Sequence, residues 1–231
     1  MCSPFGQDVL GALRPAEEER HHLPLYANIM HEFGHALFRT RRRTVGRLLL
    51  ESFGPTQRPI VEALAAEDRS LAPRRWRRAS HALTAFAQEL FADLFAGLRV
   101  GPAFFLSLYE MSWGTNQHLW SVRLSPRDES IQAYPSSRFR LDCLREATGL
   151  DAFEAGAAAA FRGLKALSAR DMASFAGSLS TDHEDDVVEV YPPSSEDHTV
   201  LRAVLQDHLT LIKECCLSFL GSCRGYLHDE Y

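Results

Sequence analysis

The stretch that most constrains this chain is Ile29-Met30-His31-Glu32-Phe33-Gly34-His35-Ala36-Leu37, where His-Glu-x-x-His lies inside an apolar run. Tyr26, Ile29, Met30, Phe33 and Leu37 recur at helical spacing, which predicts a helix over about 25–39. On that helix His31 and His35 stand one turn apart on one face, so both imidazoles can address one ion. Glu32 can then reach a water on that ion without being a ligand, the division of labour of zinc-dependent hydrolysis. Random order of a chain with this composition gives only about 0.03 such matches. The competing reading is a helix with two surface histidines beside a glutamate. Met30, Phe33, Gly34 and Leu37 weigh against it, because they predict a packed face. Gly34 costs a helix about 1 kcal/mol relative to Ala, which points to something passing close to the backbone there.

Two histidines leave a tetrahedral ion two open positions, and a catalytic zinc takes one more protein ligand and keeps the last for water. Phe86-Ala87-Gln88-Glu89-Leu90-Phe91-Ala92-Asp93-Leu94-Phe95-Ala96 places Glu89 and Asp93 four apart in a hydrophobic segment. Carboxylates seldom sit in such surroundings without a partner. Glu89 as the third ligand and Asp93 as acceptor for a ligand imidazole N–H would satisfy both. The alternative is a polar stripe exposing Gln88, Glu89 and Asp93 to water.

His-Glu-x-x-His followed some fifty residues later by Glu-x-x-Ala-Asp resembles the gluzincin metallopeptidases. Tyr134-Pro135-Ser136-Ser137-Arg138-Phe139-Arg140-Leu141-Asp142-Cys143-Leu144 is similar to the His-Pro-x-x-x-x-Arg-Ile-x-x-Leu segment of the HtpX-like and CAAX-prenyl-protease-type peptidases. Tyr134 stands where that family has His, and Leu141 where it has Ile. The resemblance covers roughly residues 25–145. It implies a zincin-like helical core, Zn²⁺ held by His31, His35 and Glu89, and Glu32 as general base. It also implies a peptide or protein substrate, with Tyr134 or Arg140 aiding the carbonyl. The ImmA/IrrE-like regulatory gluzincins, which share the Glu89–Ala96 pattern, are the second choice. The runner-up function is a non-proteolytic binding module in which zinc holds two helices together and the arginine clusters contact a partner, ahead of an ImmA/IrrE-like regulator that cleaves one partner protein.

Composition sets the frame. A chain of 231 residues, 45% apolar and 24% charged, suffices for one sizeable core, and we expect a single domain over 1–231. Its metal core should span about 25–145 and a C-terminal helical part about 150–222. A net charge of −5 argues against general nucleic-acid binding. No apolar run approaches the ~20 residues of a membrane span. Met1–Arg14 lacks the marks of a signal peptide. The five cysteines show no Cys-x-x-Cys spacing, which fits buried thiols in a reducing, cytoplasmic setting.

The remaining elements are expected to be mainly helical with at most a small β element. Residues 1–20 read as loop, with Glu17–Glu19 opening the first helix. Residues 44–72 read as an insertion with a turn at Gly54-Pro55. A helix should run from Pro73 to Arg99 and stop at Gly101-Pro102, with a short one over 103–111. Residues 119–124 and 187–191 are strand candidates, Ser125-Pro126 and Ser137 helix starts, and 151–169 an Ala-rich helix. Residues 178–198 hold an acidic loop, and a last helix covers about 196–220. The basic clusters Arg41–Arg43 and Arg74–Arg78 are either solvated surface or a contact for an acidic partner. His118 is an outside candidate for transition-state stabilisation; His21, His22 and His183 read as solvated.

Overall fold

The computed structural model describes residues 23–101, 104, 107–108, 117–125, 131–148, 185–192 and 196–230. The expectations for residues 1–20, for the Ala-rich helix at 151–169, for the start of the acidic loop and for a helix at Pro126 lie outside them, as does most of 103–111.

Three long helices come first: α1 (Leu23–Thr40), α2 (Arg42–Glu67) and α3 (Ala72–Val100). A three-stranded sheet follows from β1 (Leu119–Leu124), β2 (Ile131–Tyr134) and β3 (Val187–Tyr191), with α4 (Ser137–Thr148) between β2 and β3. The described chain closes with α5 (Glu196–Asp207) and α6 (Leu209–Glu230). The fold is mainly α with a small β element.

α3 is the central helix. Its residues Ala79, Ala82, Leu83, Phe86, Leu90, Phe91 and Leu94 are buried, following the 3.6-residue period. Pro73 sits in its first turn, where its missing N–H costs nothing. Gly101 ends it at φ 64°, a left-handed conformation suited to glycine, with its N–H donating to Gly97 O at 2.9 Å.

The sheet order is β2-β1-β3. β1 pairs antiparallel with β2, Val122 opposite Ala133, and parallel with β3, Trp120 opposite Val188. Trp120, Val122 and Leu124 alternate inward, as a half-buried strand requires. Trp120 is the anchor: its ring meets Phe86 of α3 edge-on at 4.9 Å and Phe139 of α4 at 5.0 Å. The sheet thus packs on α3 close to the Glu89 turn.

Two expectations are corrected, and one strand is added that the sequence did not announce. Gly54-Pro55 is not a turn: α2 runs unbroken through Pro55 and Pro59. Pro55 is exposed, so the carbonyl it leaves unpaired one turn back can be hydrated, while Phe53, Thr56, Ile60 and Leu64 bury the other face. Residues 131–134 form a strand ahead of the Ser137 helix, because pairing with β1 decides their conformation. The last helix is two helices. His208 Nδ1 lies 2.9 Å from Val204 O, the carbonyl its own N–H also addresses at 3.2 Å, and this shared acceptor marks the break. Beyond it α6 continues to Glu230, burying Leu209, Ile212, Cys216, Phe219, Cys223 and Leu227 in the main core.

The Arg74–Arg78 cluster has an internal destination. Arg75, 2% exposed, pairs with Asp197 of α5 at 2.9 Å, and Arg78 and Arg74 reach the same carboxylate at 3.5 and 3.9 Å. These arginines tie the start of α3 to α5. Arg41, Arg42 and Arg43 are exposed where α1 meets α2. No described helix is long and apolar enough to cross a membrane.

Candidate metal centre

α1 lies against α3 at its glycine. A Cβ on Gly34 would fall 2.6 Å from Ala92 Cα and 3.0 Å from Ala92 O, closer than van der Waals contact permits. Gly34 therefore lets the two backbones touch, and the touching point lies between the turns that carry His31 and His35 on one helix and Glu89 and Asp93 on the other. Only part of the expected apolar face is packed: Met30 and Leu37 contact the core, whereas Phe33, 45% exposed, faces away from the site.

The helix contact brings three donors together. His31 Nε2 and His35 Nε2 are 3.0 Å apart. Glu89 reaches both, Oε2 at 3.5 Å from His31 Nε2 and Oε1 at 3.5 Å from His35 Nε2. Donor atoms about 2.0 Å from a tetrahedral zinc lie about 3.3 Å from one another, so these separations fit one ion. The donor set, two imidazole nitrogens and a carboxylate, is also one that zinc takes. Glu32, exposed on α1, offers an oxygen within 4.8 Å of both histidine donors.

Behind the donors lies a buried ionic layer. Asp93, 1% exposed, has Oδ1 2.9 Å from His31 Nδ1, off the axis of the ring N–H, so the contact is an ion pair more than an aligned hydrogen bond. Arg140 grips the same carboxylate with two parallel bonds, Nε to Oδ2 at 2.7 Å and a terminal nitrogen to Oδ1 at 2.8 Å. Its guanidinium also stands 3.6 Å from Glu89 Oε2. Burial opposes the Asp93 charge, but Arg140 and His31 outweigh it and lower its pKa. Burial likewise opposes an imidazolium at His31, yet Asp93 and Glu89 prevail and raise its pKa to about 9. His35 is lowered by burial, and the His31 charge adds to that effect.

The segment 134–140 delivers two further groups. β2 ends on Tyr134, and Ser136 caps α4, its Oγ accepting from Phe139 N at 3.2 Å. That start aims Arg140, one turn in, at Asp93. Tyr134 is 38% exposed, and its hydroxyl pKa is raised by burial and by the Glu89 charge.

The structure thus gathers His31, Glu32, His35, Glu89, Asp93 and Arg140, with Tyr134 near enough to feel Glu89. His118 is not among them; it lines a separate cavity of about 290 Å³ with Asp142, Asp186 and Lys213. Two contacts had no sequence signal. Gln88, read only as part of a polar stripe, lies 3.1 Å from His35 Nδ1 through its side-chain amide. Phe104 stacks parallel to the His31 ring at 6.0 Å. A separation of 53 residues hides the first, since spacing along one helix says nothing about a neighbour on another. Comparisons with family models, curated proteins and solved structures find no match for this chain.

Proposed function

We propose that this chain is a zinc-dependent metallopeptidase that hydrolyses peptide bonds, with His31, His35 and Glu89 as the ligands and Glu32 as general base. The observation that carries the reading is the convergence of His31 Nε2, His35 Nε2 and the Glu89 carboxylate at 3.0–3.5 Å across two helices. Zinc, when bound, supplies a Lewis acid and lowers the pKa of its water towards 7. Glu32, solvent-facing beside His31, takes the proton of the attacking water and passes it to the leaving amine. Tyr134 offers a hydroxyl donor to the oxygen of the scissile carbonyl. Arg140, held by Asp93, contributes positive charge to the site and fixes the carboxylate that orients His31. The four described cysteines are free and buried, which suits a reducing cytoplasm.

Glu32→Gln should abolish peptide hydrolysis while zinc stays bound; retained turnover refutes the mechanism. His35→Ala and Glu89→Ala should each lose zinc. A second reading draws on the position of Glu32, within 4.8 Å of both histidine donors. If Glu32 closes the coordination shell, zinc is a structural clasp in a non-proteolytic binding module. Glu32→Gln would then lose zinc affinity, which separates the two readings.

A further inference from the structure

We infer that Gln88 is the positioning residue that selects the tautomer of His35 and so turns its Nε2 towards a cation. The inference rests on the metal reading above and adds a residue to it.

A neutral imidazole carries one N–H and one lone pair. His35 can offer Nε2 to a cation only if Nδ1 holds the proton, and a buried N–H without an acceptor is unfavourable. His35 is 8% exposed, so water is a poor substitute. The Gln88 side-chain amide, 3.1 Å from Nδ1, occupies the place such an acceptor must take.

The two ends of that amide fill nearly the same space and are told apart only by what they meet. Its nitrogen faces Nδ1, the arrangement that suits a lone pair on Nδ1 and a proton on Nε2. Turning the amide by half a turn presents Oε1 instead, in nearly the same space. The proton then leaves Nε2 and one is taken up at Nδ1, so the ring stays neutral and no net proton is consumed at His35.

The choice of an amide follows from its surroundings. Glu89 is the next residue and Asp93 lies one turn on, with Arg140 already committed to Asp93. A carboxylate at position 88, beside those of Glu32, Glu89 and Asp93, would add to the negative charge of a partly buried site. Glutamine supplies the acceptor without the charge. The two imidazoles are thereby backed differently, His31 by the Asp93 carboxylate and His35 by a neutral dipole.

The test compares wild type, Gln88→Leu and Gln88→Glu. Zinc affinity is read by competition with a chromogenic chelator, and the ring nitrogens of His35 by long-range proton–nitrogen NMR of the zinc-loaded protein. We expect a protected Nδ1–H on His35 in wild type and a loss of about 10–100-fold in zinc affinity for Gln88→Leu, with recovery in Gln88→Glu. Wild-type affinity in a folded Gln88→Leu overturns the inference. So does a zinc-loaded wild type in which His35 lacks an Nδ1–H or exchanges it freely with water, a result that needs no variant. If wild type binds no zinc at all, the metal reading itself fails and this inference falls with it.

Discussion

Gly34→Ala should damage the metal centre more than the fold. The added Cβ would stand 2.6 Å from Ala92 Cα, where ordinary contact begins near 3.4 Å, so α1 and α3 must part by about 0.8 Å. Two contributions to stability oppose each other. Alanine gains about 1 kcal/mol as a helix former, while overpacking a tight contact costs about 1–3 kcal/mol. The net loss should therefore be at most about 2 kcal/mol. The effect on the donors is harsher. The same shift takes the 3.5 Å separations of Glu89 from the two imidazoles to as much as about 4.3 Å. Two atoms that each lie about 2.0 Å from one ion cannot be more than about 4 Å apart. Urea denaturation of the metal-free protein and zinc competition would be run on wild type, Gly34→Ala and Gly46→Ala. Gly46 is helical with nothing within 4 Å of its added Cβ, so that variant should gain up to about 1 kcal/mol and keep its zinc. A Gly34→Ala protein with unchanged stability and unchanged zinc affinity would refute the close-contact argument.

Asp197→Ala leaves Arg75 buried without its carboxylate and should cost about 3–5 kcal/mol by urea denaturation; a loss under 1 kcal/mol would mean that the arginine finds water instead. Burial raises the thiol pKa of Cys143, Cys216 and Cys223 above the ordinary value. The unfolded chain therefore releases those protons first, and stability should fall as pH rises past about 8.5, by up to about 1.4 kcal/mol per pH unit for each thiol. Urea midpoints between pH 7 and 10 read this, and Cys223→Ala should flatten the slope. The same thiols should resist labelling until the protein unfolds.

Much of the fold was legible locally. α3 and its Gly101 stop follow from an apolar period, an early proline and a terminal glycine, and β1 and β3 from short apolar runs. What misled was punctuation read without context. Gly54-Pro55 is a signal for a turn, but one face of α2 is buried along its length, and that packing outweighs the N–H groups missing at Pro55 and Pro59 on a partly wetted side. Residues 131–134 are too short a segment to announce a strand and become one by pairing with β1. The break at His208 is equally silent, because Val204 and Leu205 before it and Leu209 and Ile212 after it continue one apolar stripe.

By itself, the sequence determined that His31 and His35 share a helical face with Glu32 beside them, since a spacing of four is a local property of the helix. It also singled out Glu89, Asp93 and Gly34 as residues out of keeping with their surroundings. Only the tertiary structure decided what answered them: Ala92 against Gly34, Arg140 on Asp93 and Gln88 on His35. Those partners lie 47 to 58 residues away along the chain. Helix periodicity sets the direction of a side chain within its own element, whereas the partner it meets depends on how elements pack, and packing is a property of the whole core.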